Sequence, residues 1–254
     1  MRGNRLFLDA VLRALGLLGV HAVKRTDVAD MRALMRRLQP VDPGVELIRV
    51  GPETDGGYLI PDDLDGIEHA LSPGVSTWSG FDEDLAARGL VVHLADHSVD
   101  QPGSGSENLR FLKKNLGSFP DGITVTLDQW TRSTVPDDAE DLLLQMDIEG
   151  AEYEVLTNVS SELLARFRII VIELHYLHQL WNKPWFVYVS RVFDKLLRQH
   201  RVVHIHPNNY SGSFRSRGLE IPRVAEFTFY RRDRLPPDPG YRTDFPHALD
   251  RDNG

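Results

Sequence analysis

Cysteine is missing altogether from the 254 residues. That excludes disulfides, a thiolate nucleophile and any Cys-ligated metal, and it suits a reducing, cytoplasmic setting. Positive charge is in deficit: 29 Lys and Arg face 37 Asp and Glu, for a net charge of −8. Phosphate contacts need clustered basic side chains, so neither nucleic acid nor an anionic membrane is an expected partner. Arg215, Arg217 and Arg223 are the candidates for a local basic patch. An unbroken apolar run of membrane-spanning length is also lacking. The nearest approach, Leu6 to Val20, is interrupted by Asp9 and Arg13, and Arg2, Arg5, Asp9, Arg13 and Gly16 share one helical stripe. This is the pattern of an amphipathic helix, not of a signal peptide. It is expected to pack on the domain or to form a homodimer contact, with a membrane surface as the weaker alternative.

Two motifs are absent as well. Gly-x-Gly-x-x-Gly does not occur, which counts against a nicotinamide site. Gly-x-Ser-x-Gly does not occur either, and Gly103-Ser104-Gly105 sits in a loop and fails the pattern of a nucleophile elbow. His204-x-His206 puts two imidazoles on one strand face, but a Zn²⁺ site would need a further His or Cys nearby.

What is present reads as a soluble α/β chain, 41% hydrophobic and 26% charged. Met31, Leu34, Met35 and Leu38 give one apolar face to a helix capped by Thr26 or Asp27, and Pro40 to Gly44 ends it. Strands are predicted over 45–50, 67–71, 90–95, 123–127, 142–146, 167–174, 202–206 and 224–230, and helices over 81–88 and 187–200. The pattern of 109–114 fits a strand or a helical turn equally. The domain division expected is a helical extension over 1–40, one α/β domain over 41–234 and an irregular tail over 235–254.

The short, mainly apolar run Leu142 to Met146 stops at Asp147-Ile148-Glu149-Gly150, the pattern of a strand buried on both faces. Ligands of open α/β sheets bind beyond the carboxyl ends of the strands. Asp147 and Glu149 are therefore candidate site residues, with capping of the following helix as the alternative. Glu173 and His175 end a second such strand, and His206, Asn208 and Asn209 end a third. Carboxylates at neighbouring strand ends can converge on one divalent ion, and Mg²⁺ at Asp147 and Glu173 is the metal expectation. Strand, Gly74 turn, helix and strand lead to Asp96, 22 positions after Gly74. That is near the roughly 20 expected of a ribose-binding acid. Asp55-Gly56-Gly57-Tyr58 reads as a hairpin turn or as a close backbone approach to a ligand.

Taken in order, several blocks resemble FkbM-type S-adenosylmethionine-dependent methyltransferases. They are Asp55-Gly56-Gly57-Tyr58, Ser72-Pro73-Gly74-Val75 with Phe81-Asp82-Glu83-Asp84-Leu85-Ala86, Thr126-Leu127-Asp128, Gln145-Met146-Asp147-Ile148-Glu149-Gly150-Ala151-Glu152, Ile172-Glu173-Leu174-His175 and His206-Pro207-Asn208-Asn209. The resemblance implies a Rossmann-like seven-stranded methyltransferase sheet, with 109–114 as a strand. It implies that S-adenosylmethionine binds at Gly57, Tyr58, Ser72, Gly74, Asp96, Asp128 and Asp147. Gly74 would lie against the methionine end and Asp96 at the ribose. One departure is that no second glycine follows Gly74 closely, which leaves contacts around Ser76 to Trp78 open.

The expected reaction is O-methylation of a sugar hydroxyl in a saccharide or polysaccharide precursor. His175, His206 and Glu173 are the proton-handling candidates, and Glu149, Asn208 and Asn209 are the acceptor-binding ones. Trp78, Trp181 and Trp185 can stack on a sugar ring, with core packing the commoner use of such residues. The alternatives are a nicotinamide-dependent oxidoreductase and a non-catalytic binding module on the same fold.

Overall fold

A computed structural model describes residues 2–20, 22–76, 79–100 and 105–253. Trp78, Gly103 and Ser104, and the side chains of Arg2, Arg5 and Asp9, named above, lie outside that description. Helices α1 (Arg2–Leu17) and α2 (Val28–Arg37) lead to the hairpin strands β1 (Leu47–Val50) and β2 (Tyr58–Pro61). Next come β3 (His69–Pro73), α3 (Gly80–Ala87), β4 (Val91–Ala95), β5 (Leu109–Leu112), the short pair β6 (Asn115–Leu116) and β7 (Thr124–Val125), and α4 (Leu127–Thr134). The second half holds β8 (Leu142–Met146), α5 (Glu152–Asn158), α6 (Ser161–Arg166), β9 (Phe167–Leu174), α7 (Lys183–Gln199) and β10 (His200–Pro207). The hairpin β11 (Ser213–Ser216) and β12 (Leu219–Pro222) precedes the last strand, β13 (Ala225–Arg231).

Seven strands form one sheet in the order β10-β13-β9-β8-β3-β4-β5. The five from β9 to β5 run parallel, and β13 is antiparallel to both of its neighbours. Every residue of β8 and β9 is buried, which is why their sequences are mainly apolar and do not alternate. Each fully buried Leu or Ile there contributes about 1.5–3 kcal/mol of transfer free energy. Parallel crossovers carry the chain outward from β3 through α3 to β4 in one direction, and from β8 through α5 and α6 to β9 in the other. The sheet therefore reverses its winding between β3 and β8, and a crevice opens beyond their carboxyl ends.

Several expectations are corrected. Only Thr124 and Val125 of the strand expected over 123–127 are extended, and they pair with β6 outside the main sheet. Thr126 is the N-cap of α4, its hydroxyl accepting from the Gln129 N–H, so helix begins at Leu127. Helix α7 starts at Lys183, ahead of the expected 187, because Asn182 caps it and Pro184 suits a first turn. Residues 109–112 are a strand. Helix α2 packs Met31, Leu34 and Leu38 into the main core. Helix α1 does not pack on the domain along residues 10–17, where all but Leu15 are exposed and Leu17 is 90% exposed. The tail lacks regular structure but is tied down. Tyr241 bridges Val41, the Arg242 N–H donates to the Pro40 carbonyl, and Arg251 pairs with Glu53.

Candidate functional site

The crevice between β3 and β8 is a cavity of about 930 Å³, lined among others by Tyr58, Gly74, Asp96, Asn115, Asp147 and Glu149. That volume falls in the range of small-molecule sites. Its floor depends on a close backbone approach. Gly74 has φ +86, and a Cβ there would overlap the Asp147 carbonyl and lie 2.9 Å from Ile148 Cγ2. Only glycine fits. Beneath it, Ser72 Oγ donates to Gln145 Oε1 at 2.7 Å, and Gln145 Nε2 donates to the Tyr58 hydroxyl at 3.4 Å.

Beyond β8 the backbone turns sharply through Glu149, at φ 57, and Gly150, at φ 108. A Cβ on Gly150 would run into the Tyr176 ring, whose own residue also has positive φ, 58. Left-handed backbone at non-glycine residues costs about 1–3 kcal/mol and is held only where surroundings compel it. Here the compelling group is Glu152, which is 0% exposed. Its Oε1 accepts from the N–H groups of Ile148 at 3.1 Å and Gly150 at 3.0 Å, and pairs with His175 Nδ1 at 3.1 Å. His175 Nε2 lies 3.4 Å from Glu149 Oε2. One buried carboxylate thus shapes the turn after β8 and aims the imidazole that follows β9.

A second polar row lies at the adjacent strand ends. In register, Glu226 stands opposite Glu173 on one side and opposite His206 on the other. Asn208 Nδ2 donates to Glu173 Oε1 at 3.1 Å, and Asn253 Nδ2 donates to Glu226 Oε1 at 2.8 Å. Asp250 closes the row, 2.9 Å from His204 Nε2 and 3.7 Å from His206 Nδ1. The His204-x-His206 pair therefore serves a carboxylate. Asn209 joins the tail as well, donating from Nδ2 to Asp252 Oδ1 at 2.7 Å and accepting from the Asn253 N–H at 3.0 Å.

Electrostatics make this a region short of positive charge. Burial and the neighbouring acids Glu149, Glu152 and Asp55 hold the Asp147 carboxyl above its ordinary range, with His175 opposing. Burial, Asp147 and Glu226 do the same to Glu173. Glu226 is pushed up to about 7, by burial first. Burial disfavours the charged form of His175, but the Glu152 hydrogen bond and the charges of Glu152, Asp147 and Glu173 outweigh it and raise it to about 9. His206 is raised, chiefly by Asp250. Such buried carboxylates keep protons or take a cation. Asp147, Glu149 and His175 each bring one ligand atom within 4.8 Å of the others, and so do Asp55, Glu173 and Glu226. The pair expected to share a metal, Asp147 and Glu173, is thus divided between two groups of donors.

Of the residues singled out in the sequence, Tyr58, Gly74, Asp96, Asp147 and Glu149 line the cavity. Ser72 supports its floor through Gln145, and Gly57 shapes the hairpin turn behind Tyr58, where an added Cβ would overlap the Pro52 carbonyl. Asp128 is a correction: it lies in the first turn of α4 and accepts from the N–H and hydroxyl of Ser160, the cap of α6. Its carboxylate joins two helices and does not reach the cavity. Trp181 and Trp185 pack in or against the core, the first beneath the Arg25 guanidinium at 4.4 Å, the second edge-on to Tyr153. Arg215 pairs with Glu220 at 2.9 Å. Glu226, Asp250 and Asn253 were missed. An acid inside the apolar run Ala225 to Tyr230 was the one available signal for the first of them.

Comparison with known proteins adds a family likeness over part of the chain. No curated protein matches the chain. Among solved structures, the fibrillarin pre-rRNA processing protein of Methanococcus jannaschii is 11% identical, over 73% of this chain and 70% of that one, with a TM-score of 0.40. The magnesium protoporphyrin IX methyltransferase of Synechocystis with bound SAM is 11% identical, over 66% and 72%, with a TM-score of 0.34. A TehB-like SAM-dependent methyltransferase from Corynebacterium glutamicum is 9% identical, over 91% and 100%, with a TM-score of 0.31. The methyltransferase FkbM domain matches residues 105–202, the stretch that carries β8, the Glu152 turn and the His175 strand end. Over those residues the chain is similar to the FkbM family of methyltransferases.

Proposed function

We propose that the chain is an S-adenosylmethionine-dependent O-methyltransferase whose acceptor is a sugar hydroxyl of a saccharide. The observation that carries the reading is the cavity at the β3/β8 switch point, where a glycine-only backbone approach meets Asp96 on one side and buried acids on the other. The residues fit a cationic cofactor. Asp96, at the end of β4, has the reach of a ribose diol, and Asn115 and Leu116 line the same end of the cavity. Asp147 stands where a sulfonium would relieve its burial. When bound, the cofactor supplies an activated methyl group.

What the chain's own groups do follows from their placement. Alignment of the acceptor oxygen with the methyl carbon supplies most of the rate, since charge is cancelled as the bond forms. The hydroxyl must also lose its proton. Above its raised pKa of about 9, where the ring is neutral, His175 takes it at Nε2, with Glu152 fixing the ring through Nδ1. Glu173 ends the same strand, β9, and His206 ends β10 across β13, while Glu149 on the cavity wall, with Asn208 and Asn209 once released from Glu173 and the tail, would offer hydrogen bonds to the acceptor. Mg²⁺ is a further part of the proposal. Asp147 with Glu149, and Glu173 with Asp55 and Glu226, are oxygen donors of the class it takes. There it would lower the pKa of the hydroxyl.

The test is transfer of a labelled methyl group from S-adenosylmethionine to a panel of saccharides, with mass spectrometry locating the ether. Calorimetry should show binding of S-adenosylhomocysteine and none of NAD. NAD binding without S-adenosylhomocysteine binding would replace the reading with an oxidoreductase. Full turnover after exhaustive chelation would remove Mg²⁺ from it.

A further inference from the structure

Asp82 lies in the first turn of α3 and is 3% exposed, yet it lines the cavity alongside Tyr58, Gly74 and Gln145. Its Oδ1 is buried without a hydrogen-bond partner. No Lys or Arg among the described residues forms an ion pair with it. Burial raises its carboxyl to about 7, while the Ser72 and Ser79 hydroxyls hold it back. An acid at this helical position often accepts from the backbone N–H of the cap residue. No backbone N–H among the described residues donates to Asp82. A buried carboxyl left in this state is costly, and such groups cluster where a ligand completes them.

We infer that Asp82 is a cofactor-binding residue that receives a primary ammonium, the α-amino group on the amino-acid end of the cofactor. This rests on the S-adenosylmethionine reading above. The chemistry selects the ammonium because the cofactor has a single group with N–H donors and full positive charge apart from its sulfonium. On that reading Asp96 takes the ribose hydroxyls, and Asp147 and Glu149 stand beside His175. Asp82 lines the same cavity, and its carboxyl is a hydrogen-bond partner of Ser72, the residue that also reaches Gln145. An ammonium placed there satisfies the orphaned oxygen and removes the cost of its burial.

The test is calorimetry on the full chain with two ligands: S-adenosylhomocysteine and its analogue with hydrogen in place of the α-amino group. The unaltered chain should bind the amino ligand at least tenfold more tightly. In Asp82→Asn that preference should shrink at least fivefold, while affinity for the desamino analogue stays within twofold. The inference is overturned by an unaltered chain that does not distinguish the ligands, a result that needs no variant to fold. It is equally overturned by a variant that weakens both ligands by the same factor, which would make Asp82 a prop of the pocket wall. Failure of the unaltered chain to bind either ligand would overturn the cofactor reading along with it. Binding of both with no effect of the variant would leave that reading standing and remove Asp82 alone.

Discussion

Glu152→Gln isolates what one buried negative charge does for this site. The substitution keeps an oxygen for the Ile148 and Gly150 N–H groups, so the turn after β8 has its acceptor. What it removes is the charge against His175 Nδ1 at 3.1 Å. That hydrogen bond and charge stand ahead of Asp147 and Glu173 among the influences that lift the imidazole from 6.5 to about 9. Removing it should bring His175 down by roughly 1–2 pH units, each worth about 1.4 kcal/mol of differential interaction. The new amide NH₂ replaces Oε2, a buried atom without a partner, so the variant also pays about 1–3 kcal/mol in stability. Nitrogen-labelled histidine NMR, run in chelator so that the ring titrates against protons alone, reads the first effect. Thermal unfolding reads the second. If His175 is the base, the pH at which turnover reaches its plateau should move to lower pH by the same amount as the NMR titration. A His175 titration unmoved within about half a unit would refute the assignment of Glu152 as its controlling partner. A shifted titration with an unshifted rate profile would leave the pair intact and take the proton transfer away from it.

His200 is fully buried, its Nε2 donating to the Phe167 carbonyl at 2.7 Å, and burial lowers it from 6.5 to about 4. Between those values the unfolded chain binds more protons, so stability is complete above about pH 6.5 and falls as pH drops toward 4, by about 3 kcal/mol in all. Denaturant unfolding across that window should show the slope, and His200→Gln should flatten it. Gly74→Ala forces left-handed backbone on alanine, about 1–2 kcal/mol, and pushes the Asp147 carbonyl aside. The melting temperature should fall by roughly 5 °C. Cofactor affinity should drop with it, and retention of both would mean that the close approach is not real. Asp250→Asn removes the partner of His204 and the main cause of the raised His206, so His206 should titrate at lower pH and the tail should become sensitive to protease.

The central sheet was legible because burial on both faces writes a plain signal. β8 and β9 are apolar but for Gln145, Arg168 and Glu173, and each is followed by a polar residue, Asp147 or His175, where the strand leaves the core. Strand ends locate the crevice in an open α/β sheet, so Asp147, Gly74 and Asp96 can be named from the order of residues alone. Where the signal failed, the competing cause is local. Alternation over 123–127 looks like a strand until Thr126 is recognised as a cap, and a cap and a strand residue are the same letter in the sequence. Asp128 followed the family resemblance and is claimed by Ser160, a contact between two helices that no spacing rule encodes.

The acidic row at β9, β13 and β10 was half legible for a reason that can be stated. Glu173 and His206 mark the exits of their strands, but the residue between them, Glu226, enters a strand running the other way. Only the antiparallel register tells which residue of β13 faces Glu173, and register is set by pairing, not by the sequence of one strand. The tail shows the same limit more severely. Its Pro- and Asp-rich composition correctly excludes a packed helix or strand, yet lack of regular structure is no measure of lack of contact. Asp250 and Asn253 are held by the buried His204 and Glu226 and the half-buried His206. The polar demand of the sheet edge, and not any pattern within the tail, places those residues there.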